Sequence, residues 1–225
     1  LNFSDNKYSG EITMEKSTYF KADDGEIYKS AIRKLQAEED SITLLIGPPG
    51  TGKTRAPIEA AIEKKWNITI VRPPTPFGTS YGLLPGGLDE KIDPWMAGIK
   101  DILIDLEISP ESAAHPETGF IEFASFEHLQ SRTLYDFIIF DEVQNCNIDE
   151  IYIAMTRIGK GSRMALCGDI NQRSSHQRRS GLEDLHNMML ATNSMNVIDF
   201  TDAKCYRSGL CGDVTAMFNK YRGAK

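Results

Sequence analysis

The chain has 225 residues, 40% of them apolar, and a formal net charge of -7, which fits one sizeable globular domain and excludes a protein that is basic over its whole surface. No apolar run approaches the ~18 residues of a membrane span, and the stretch from Leu1 to Glu15 is too polar for a secretory segment, so no membrane partner and a cytoplasmic location are expected. Cys146, Cys167, Cys205 and Cys211 include no C-x-x-C pair and no companion histidine cluster, which makes reduced thiols the expectation rather than metal ligands or disulfides.

Residues 1–24 lack clear periodicity and read as an N-terminal arm or edge strand, leaving 25–225 as one domain. Glu26 to Leu35 reads as a helix leading into a short apolar strand, Thr43 to Ile46. Next comes Gly47-Pro48-Pro49-Gly50-Thr51-Gly52-Lys53-Thr54, which satisfies the phosphate-loop pattern G-x-x-x-x-G-K-[ST] and runs into a helix from Lys53 to Lys65. Glycines at 47, 50 and 52 let the backbone fold around phosphate oxygens, and the helix N-terminus adds amide donors and a favourable dipole. Lys53 is expected to reach the β- and γ-phosphates of ATP and the Thr54 hydroxyl to hold Mg²⁺, with Arg55 closing the nucleotide-binding stretch. Pro57 is expected to remove one helical hydrogen bond and bend the helix start slightly.

A second strand is expected at Ile68 to Val71. Residues 73–119 then interrupt the rhythm with prolines, glycines and one helix from Pro94 to Leu106, and read as an insertion of the kind where partners bind. Further strands at Phe137 to Phe140, Met164 to Cys167 and Val197 to Phe200 alternate with helices near Ile148 to Ile158 and Leu182 to Leu190. This alternation implies an α/β fold, mainly a parallel sheet with helices on both faces.

Phe137 to Phe140 ends in Asp141-Glu142, two acids at the strand end that would face a nucleotide. Asp141 is expected to hold Mg²⁺ and Glu142 to orient the attacking water as catalytic base. Gln144 completes Asp-Glu-Val-Gln, and Gln172 ends Gly168-Asp169-Ile170-Asn171-Gln172 after another apolar strand. A neutral amide there suits sensing of the γ-phosphate, while a cap or turn role is the alternative for Gln172. The pairing of D-E-x-Q with G-D-x-x-Q resembles the second and third motifs of superfamily 1 helicases. Between Arg157 and Ser180, Arg157, Lys160, Arg163, Arg173, Arg178 and Arg179 face the single acid Asp169. Such a segment either meets a phosphate backbone or forms a solvated, subunit-facing surface.

Val71-Arg72-Pro73-Pro74, Gly78 and Tyr81-Gly82-Leu83-Leu84-Pro85-Gly86-Gly87-Leu88-Asp89-Glu90-Lys91-Ile92-Asp93-Pro94 resemble the signature of PhoH-like ATPases. Ile121 to Ala124, Arg132 to Leu134, Asp141 to Asn145, Thr156 to Gly159, Gly168-Asp169 and Ser180 to Leu182 continue the match in order, over about residues 40 to 220. The resemblance implies a RecA-like P-loop NTPase domain with ATPase activity, association with RNA or single-stranded DNA, and a hexameric homo-oligomeric ring. Phe200-Thr201 followed by Tyr206-Arg207 resembles the family's C-terminal motif and implies that Arg207 is offered to a nucleotide, including across a subunit boundary; here Lys204 and Ser208-Gly209 depart from that motif. Gly25-Glu26 stands where the family carries an adenine-reading glutamine. The function expected is therefore a nucleic-acid-dependent ATPase or helicase in which Lys53, Glu142, Gln172 and Arg207 act on the nucleotide and Arg157, Lys160, Arg173, Arg178 and Arg179 touch nucleic acid. The rival readings are a small-molecule kinase, against which a water-activating Glu142 argues, and a protein-remodelling ATPase.

Overall fold

The computed structural model describes residues 19–20, 25–37, 40–73, 88–129, 131–172, 180–192 and 195–223. In chain order these form β1 (Tyr19–Phe20), α1 (Glu26–Ala37), β2 (Ser41–Ile46), α2 (Arg55–Lys64), β3 (Ile68–Arg72), α3 (Leu88–Asp105), α4 (Pro110–Ala113), β4 (Ile121–Ser125), α5 (Phe126–Leu129), β5 (Phe137–Phe140), α6 (Ile148–Met155), β6 (Arg163–Gly168), α7 (Gly181–Thr192), β7 (Asn196–Asp199) and α8 (Gly209–Gly223). The strands make one sheet in the order β1-β7-β2-β6-β5-β3-β4, and every pairing is parallel.

Strand side chains alternate between faces, and the two cores follow that alternation. Leu45, Phe137, Ile139, Ala165 and Cys167 pack against α1 to α4, whereas Leu44, Ile46, Ile138, Phe140 and Leu166 pack against α5 to α7. Both faces are therefore covered, which is why the central strands read as unbroken apolar runs. The chain steps outward from β2 through β3 to β4 with α2 to α4 on one face. It returns through β5, β6 and β7 with α5 to α7 on the other. Because all strands are parallel, the residues that follow β2, β5, β6 and β7 emerge at one end of the sheet, with Ile46 level with Gly168 and Asp199.

Four elements have no counterpart in the sequence reading: α4, β4, α5 and α8, of which α4 and α5 are four-residue turns too short to show a period. β4 is an edge strand whose pattern is broken by exposed Glu122, and α8 carries glycines at both ends and within it, which depress helix propensity. α3 starts at Leu88, ahead of the expected Pro94, and with α4 it forms the connection from β3 to its neighbour β4. Of residues 1–24 only Tyr19–Phe20 are described, as an edge strand beside β7. The signature stretch 74–87 lies outside the described residues. No helix among the described residues is long and apolar enough to cross a membrane.

Candidate active site

The loop between β2 and α2 opens into a cleft of about 830 Å³ at the C-terminal end of the strands. Gly47 starts the loop at φ 146°, and a Cβ there would stand 2.8 Å from the backbone of Phe200, so a side chain has no room. Gly50 adopts φ 77°, the left-handed region that glycine enters without steric cost. The Lys53 ammonium folds over the loop and donates to the Pro48 carbonyl. Burial pulls its pKa below the usual lysine value, while Asp169, Cys167, Asp141 and Glu142 pull the other way. An anionic oxygen in the loop offers that ammonium a stronger partner than a neutral carbonyl does.

α2 follows with Pro57 in its first turn. Having no amide, Pro57 leaves the Lys53 carbonyl without its helical donor, and the buried Cys167 thiol donates to that carbonyl at 3.3 Å instead. The expected missing bond thus exists, and it ties α2 to β6.

Thr54 Oγ1 donates to Asp141 Oδ1 at 2.9 Å, across 87 residues of sequence. A hydroxyl and a carboxylate so placed beside a phosphate loop are the hard oxygen donors that Mg²⁺ prefers, and the pair suits that ion. Arg72 Nη2 reaches the other oxygen, Asp141 Oδ2, at 3.4 Å. Sequence reasoning assigned Arg72 no role in the site; its signals were its place in the PhoH-like signature and at the end of an apolar strand beside Pro73.

Glu142 leaves the strand in the left-handed region at φ 57°, a conformation costing a non-glycine residue about 1–3 kcal/mol. The strain turns its carboxylate toward Gln144, whose Nε2 donates to Glu142 Oε2 at 2.6 Å, while Gln144 Oε1 accepts from the Asp169 amide at 3.2 Å. Gln144 is 4% exposed and bridges the ends of β5 and β6. Burial first, then the charge of Asp141, raises the Glu142 pKa above the usual carboxylate range, with Arg72, Gln144 and Lys53 opposing. Asn147 and Glu150 form a reciprocal cap on α6 that fixes the chain just beyond this turn.

Gln172 lines the cleft and is exposed, and its amide also closes a turn onto the Asp169 carbonyl at 3.1 Å. Arg207 lines the same cleft within its own chain. The Tyr206 amide donates to the Gly50 carbonyl at 2.8 Å, which draws the segment after β7 onto the loop. α3 supplies a further wall with Asp101 and Asp105, and Arg55 Nη1 pairs with Asp105 at 3.0 Å. Tyr28 of α1 reaches in beside Tyr206, their rings edge to face at 6.5 Å. Neither α3 nor Tyr28 carries a sequence signal for this place, since their approach depends on tertiary packing.

The basic segment does not form one patch among the described residues. Arg157 and Lys160 precede β6, at the end of the sheet opposite the cleft, and Arg163 stacks its guanidinium 4.2 Å over the Trp66 ring. Arg173, Arg178 and Arg179 lie outside the described residues.

A family model described as PhoH-like protein matches residues 24–219. A PhoH-like protein of Bacillus subtilis is 30% identical over 98% of this chain and 70% of its own length. A PhoH-like protein of Mycobacterium bovis is 30% identical over 82% of this chain and 54% of its own, so the chain spans about half the length of that relative. Among solved structures, the large terminase of a thermophilic bacteriophage is similar in fold, with a TM-score of 0.53 and 11% identity over 84% of this chain and 49% of that one. The all-parallel sheet, the phosphate loop after β2 and a match that runs from residue 24 to 219 agree, and the chain belongs to the PhoH-like family with a RecA-like P-loop NTPase fold.

Proposed function

We propose that this chain is an Mg²⁺-dependent ATPase whose turnover is coupled to RNA or single-stranded DNA and which works as a homo-oligomeric ring. The observation that carries the ATPase reading is the 2.9 Å contact between Thr54 and Asp141 with Glu142 next in sequence and Lys53 in the same cleft. Lys53 neutralises β- and γ-phosphate charge, and Thr54 with Asp141 hold Mg²⁺, which when bound screens the phosphate oxygens. Glu142 accepts a proton from a water whose oxygen bonds to the γ-phosphorus as the bond to the bridging oxygen breaks, yielding ADP and phosphate. Gln172 responds to the γ-phosphate. Arg207 acts on the nucleotide of its own chain, a reading supported by the hold of Tyr206 on Gly50.

The pH dependence follows from Glu142. A base works only when deprotonated, so turnover is expected to fall as pH drops through a pKa that lies above the usual carboxylate range. The Gln144 hydrogen bond lowers that pKa. Gln144→Ala is therefore expected to move the acid limb of the kcat/KM profile to higher pH, and also to destabilise the fold by about 1–3 kcal/mol because the Asp169 amide loses its acceptor. An unmoved acid limb would show that Glu142 does not set it.

The nucleic-acid part of the proposal rests on sequence: Arg173, Arg178 and Arg179 stand in the stretch that directly follows Gln172, a residue of the cleft. Phosphate release from ATP, measured with polyuridylate, with single-stranded DNA, with a panel of small phosphate acceptors and with none, separates the readings. Stimulation by a polynucleotide that fades with added salt is the expected result. Transfer of phosphate to a small acceptor would make the chain a kinase instead.

A further inference from the structure

Cys205 and Cys211 take no part in the proposed hydrolysis, yet one of them rests on the phosphate loop. A Cβ on Gly50 would stand 2.7 Å from Cys205 Sγ and 3.1 Å from Arg207 Cβ, so the turn that carries both residues packs directly on the loop backbone. Cys211 lies in the first turn of α8, directly before Gly212. A Cβ on the adjacent Gly212 would stand 3.6 Å from Cys205 Cβ, which confirms how close the turn and the helix approach. The Cys211 amide donates to Ser208 Oγ at 3.1 Å and the Thr215 hydroxyl to the Cys211 carbonyl at 2.8 Å, so its backbone is held in place. Both thiols are partly exposed, whereas Cys146 and Cys167 are buried.

We propose that Cys205 and Cys211 are a reversible disulfide site which, when oxidised by a peroxide, draws the Cys205–Arg207 turn off the phosphate loop and slows nucleotide turnover. A disulfide brings the sulfurs to about 2.05 Å, and because the Cys211 backbone is held by Ser208 and Thr215, closing that bond draws Cys205 Sγ away from Gly50 toward α8. The chemistry favours Cys205 as the attacking sulfur. Burial works to raise its pKa, but hydrogen bonds from the Ser208 backbone, the Cys211 thiol and the Arg207 backbone, with the Arg207 charge, bring it below the ordinary thiol value. Its thiolate attacks one peroxide oxygen and breaks the O–O bond, giving a sulfenic acid and, from hydrogen peroxide, water. The Cys211 sulfur then bonds to the sulfenic sulfur and the hydroxyl leaves as a second water, so two thiol protons and two electrons pass to the peroxide. A dithiol reductant reverses the bond by exchange.

The modification itself stands apart from the ATPase reading, and only its effect on turnover rests on that reading. The test treats the full chain with hydrogen peroxide, alkylates the remaining thiols, maps them by peptide mass spectrometry and follows phosphate release from ATP in parallel. The expected result is a Cys205–Cys211 link at doses that leave Cys146 and Cys167 alkylatable after denaturation, with turnover slowed roughly tenfold and restored by dithiothreitol. Cys211→Ser, which removes the partner without touching the cleft, should match the wild type before treatment and yield a Cys205 sulfenic acid that dimedone traps. Absence of the link at such doses overturns the site, and a link with turnover unchanged overturns its coupling to the loop. A link in a chain that releases no phosphate in either redox state upholds the site and overturns the ATPase reading.

Discussion

Lys53→Ala is expected to abolish ATP binding at ordinary working concentrations. The ammonium is held over the loop by its bond to Pro48 and is half-buried among the acids at the strand ends, where each missing cation leaves phosphate charge unbalanced. Removing one member of a buried, hydrogen-bonded charge pair costs about 2–5 kcal/mol, or roughly thirty-fold to several-thousand-fold in Kd. Folding should survive, because Lys53 anchors no core cluster and its carbonyl keeps its Cys167 partner whatever the side chain. Calorimetric titration of ATP into the variant checks this, with circular dichroism as the control for folding. A Kd near that of the wild type would remove Lys53 from the nucleotide site.

Glu142→Gln is expected to act in the opposite manner, keeping ATP while losing its hydrolysis. The amide fills the same volume and, with its oxygen turned toward Gln144, still accepts from Gln144 Nε2 while Gln144 Oε1 keeps the Asp169 amide, so the turn and its left-handed residue are retained. It cannot accept a proton from water. Loss of a positioned general base lowers the rate by about 10²–10⁴-fold. Because the carboxylate is raised in pKa by burial and by Asp141, the neutral variant also removes a charge repulsion, and ATP affinity should be unchanged or tighter. Weakened binding together with lost turnover would assign Glu142 to the architecture of the cleft rather than to proton transfer.

The parts of the site that the sequence discloses are those whose chemistry needs contiguous residues. A loop that wraps phosphate must be glycine-rich and end in Lys53-Thr54, and an acid pair at a strand end must follow an apolar run such as Phe137 to Phe140. The central strands were legible for a related reason: β2, β5 and β6 are covered on both faces, so nearly every position is apolar. What stayed hidden depends on residues far apart in the chain. Arg72 meets Asp141 across 69 positions, and Tyr28 meets Tyr206 only because α1 and the segment after β7 both cover the loop. β4 and α8 escaped because an edge strand and a glycine-interrupted, largely exposed helix carry weak periodicity. Linear charge is also a poor guide to a surface, since β6 carries the chain from Arg157 and Lys160 at one end of the sheet to Gln172 at the other.

In the proposed reaction one cleft binds ATP through Lys53 and Thr54 and cleaves it through Glu142. Its most direct test is a single-turnover experiment in which radiolabelled ATP is bound with Mg²⁺ to excess wild-type chain or Glu142→Gln, quenched over time and resolved into ATP and phosphate. The wild type should convert its bound ATP to ADP and phosphate, and the variant should hold intact ATP over the same period with a rate at least roughly a hundredfold lower. Equal rates in the two chains, or a wild type that binds ATP and never cleaves it in the presence of Mg²⁺ and polynucleotide, would contradict the account.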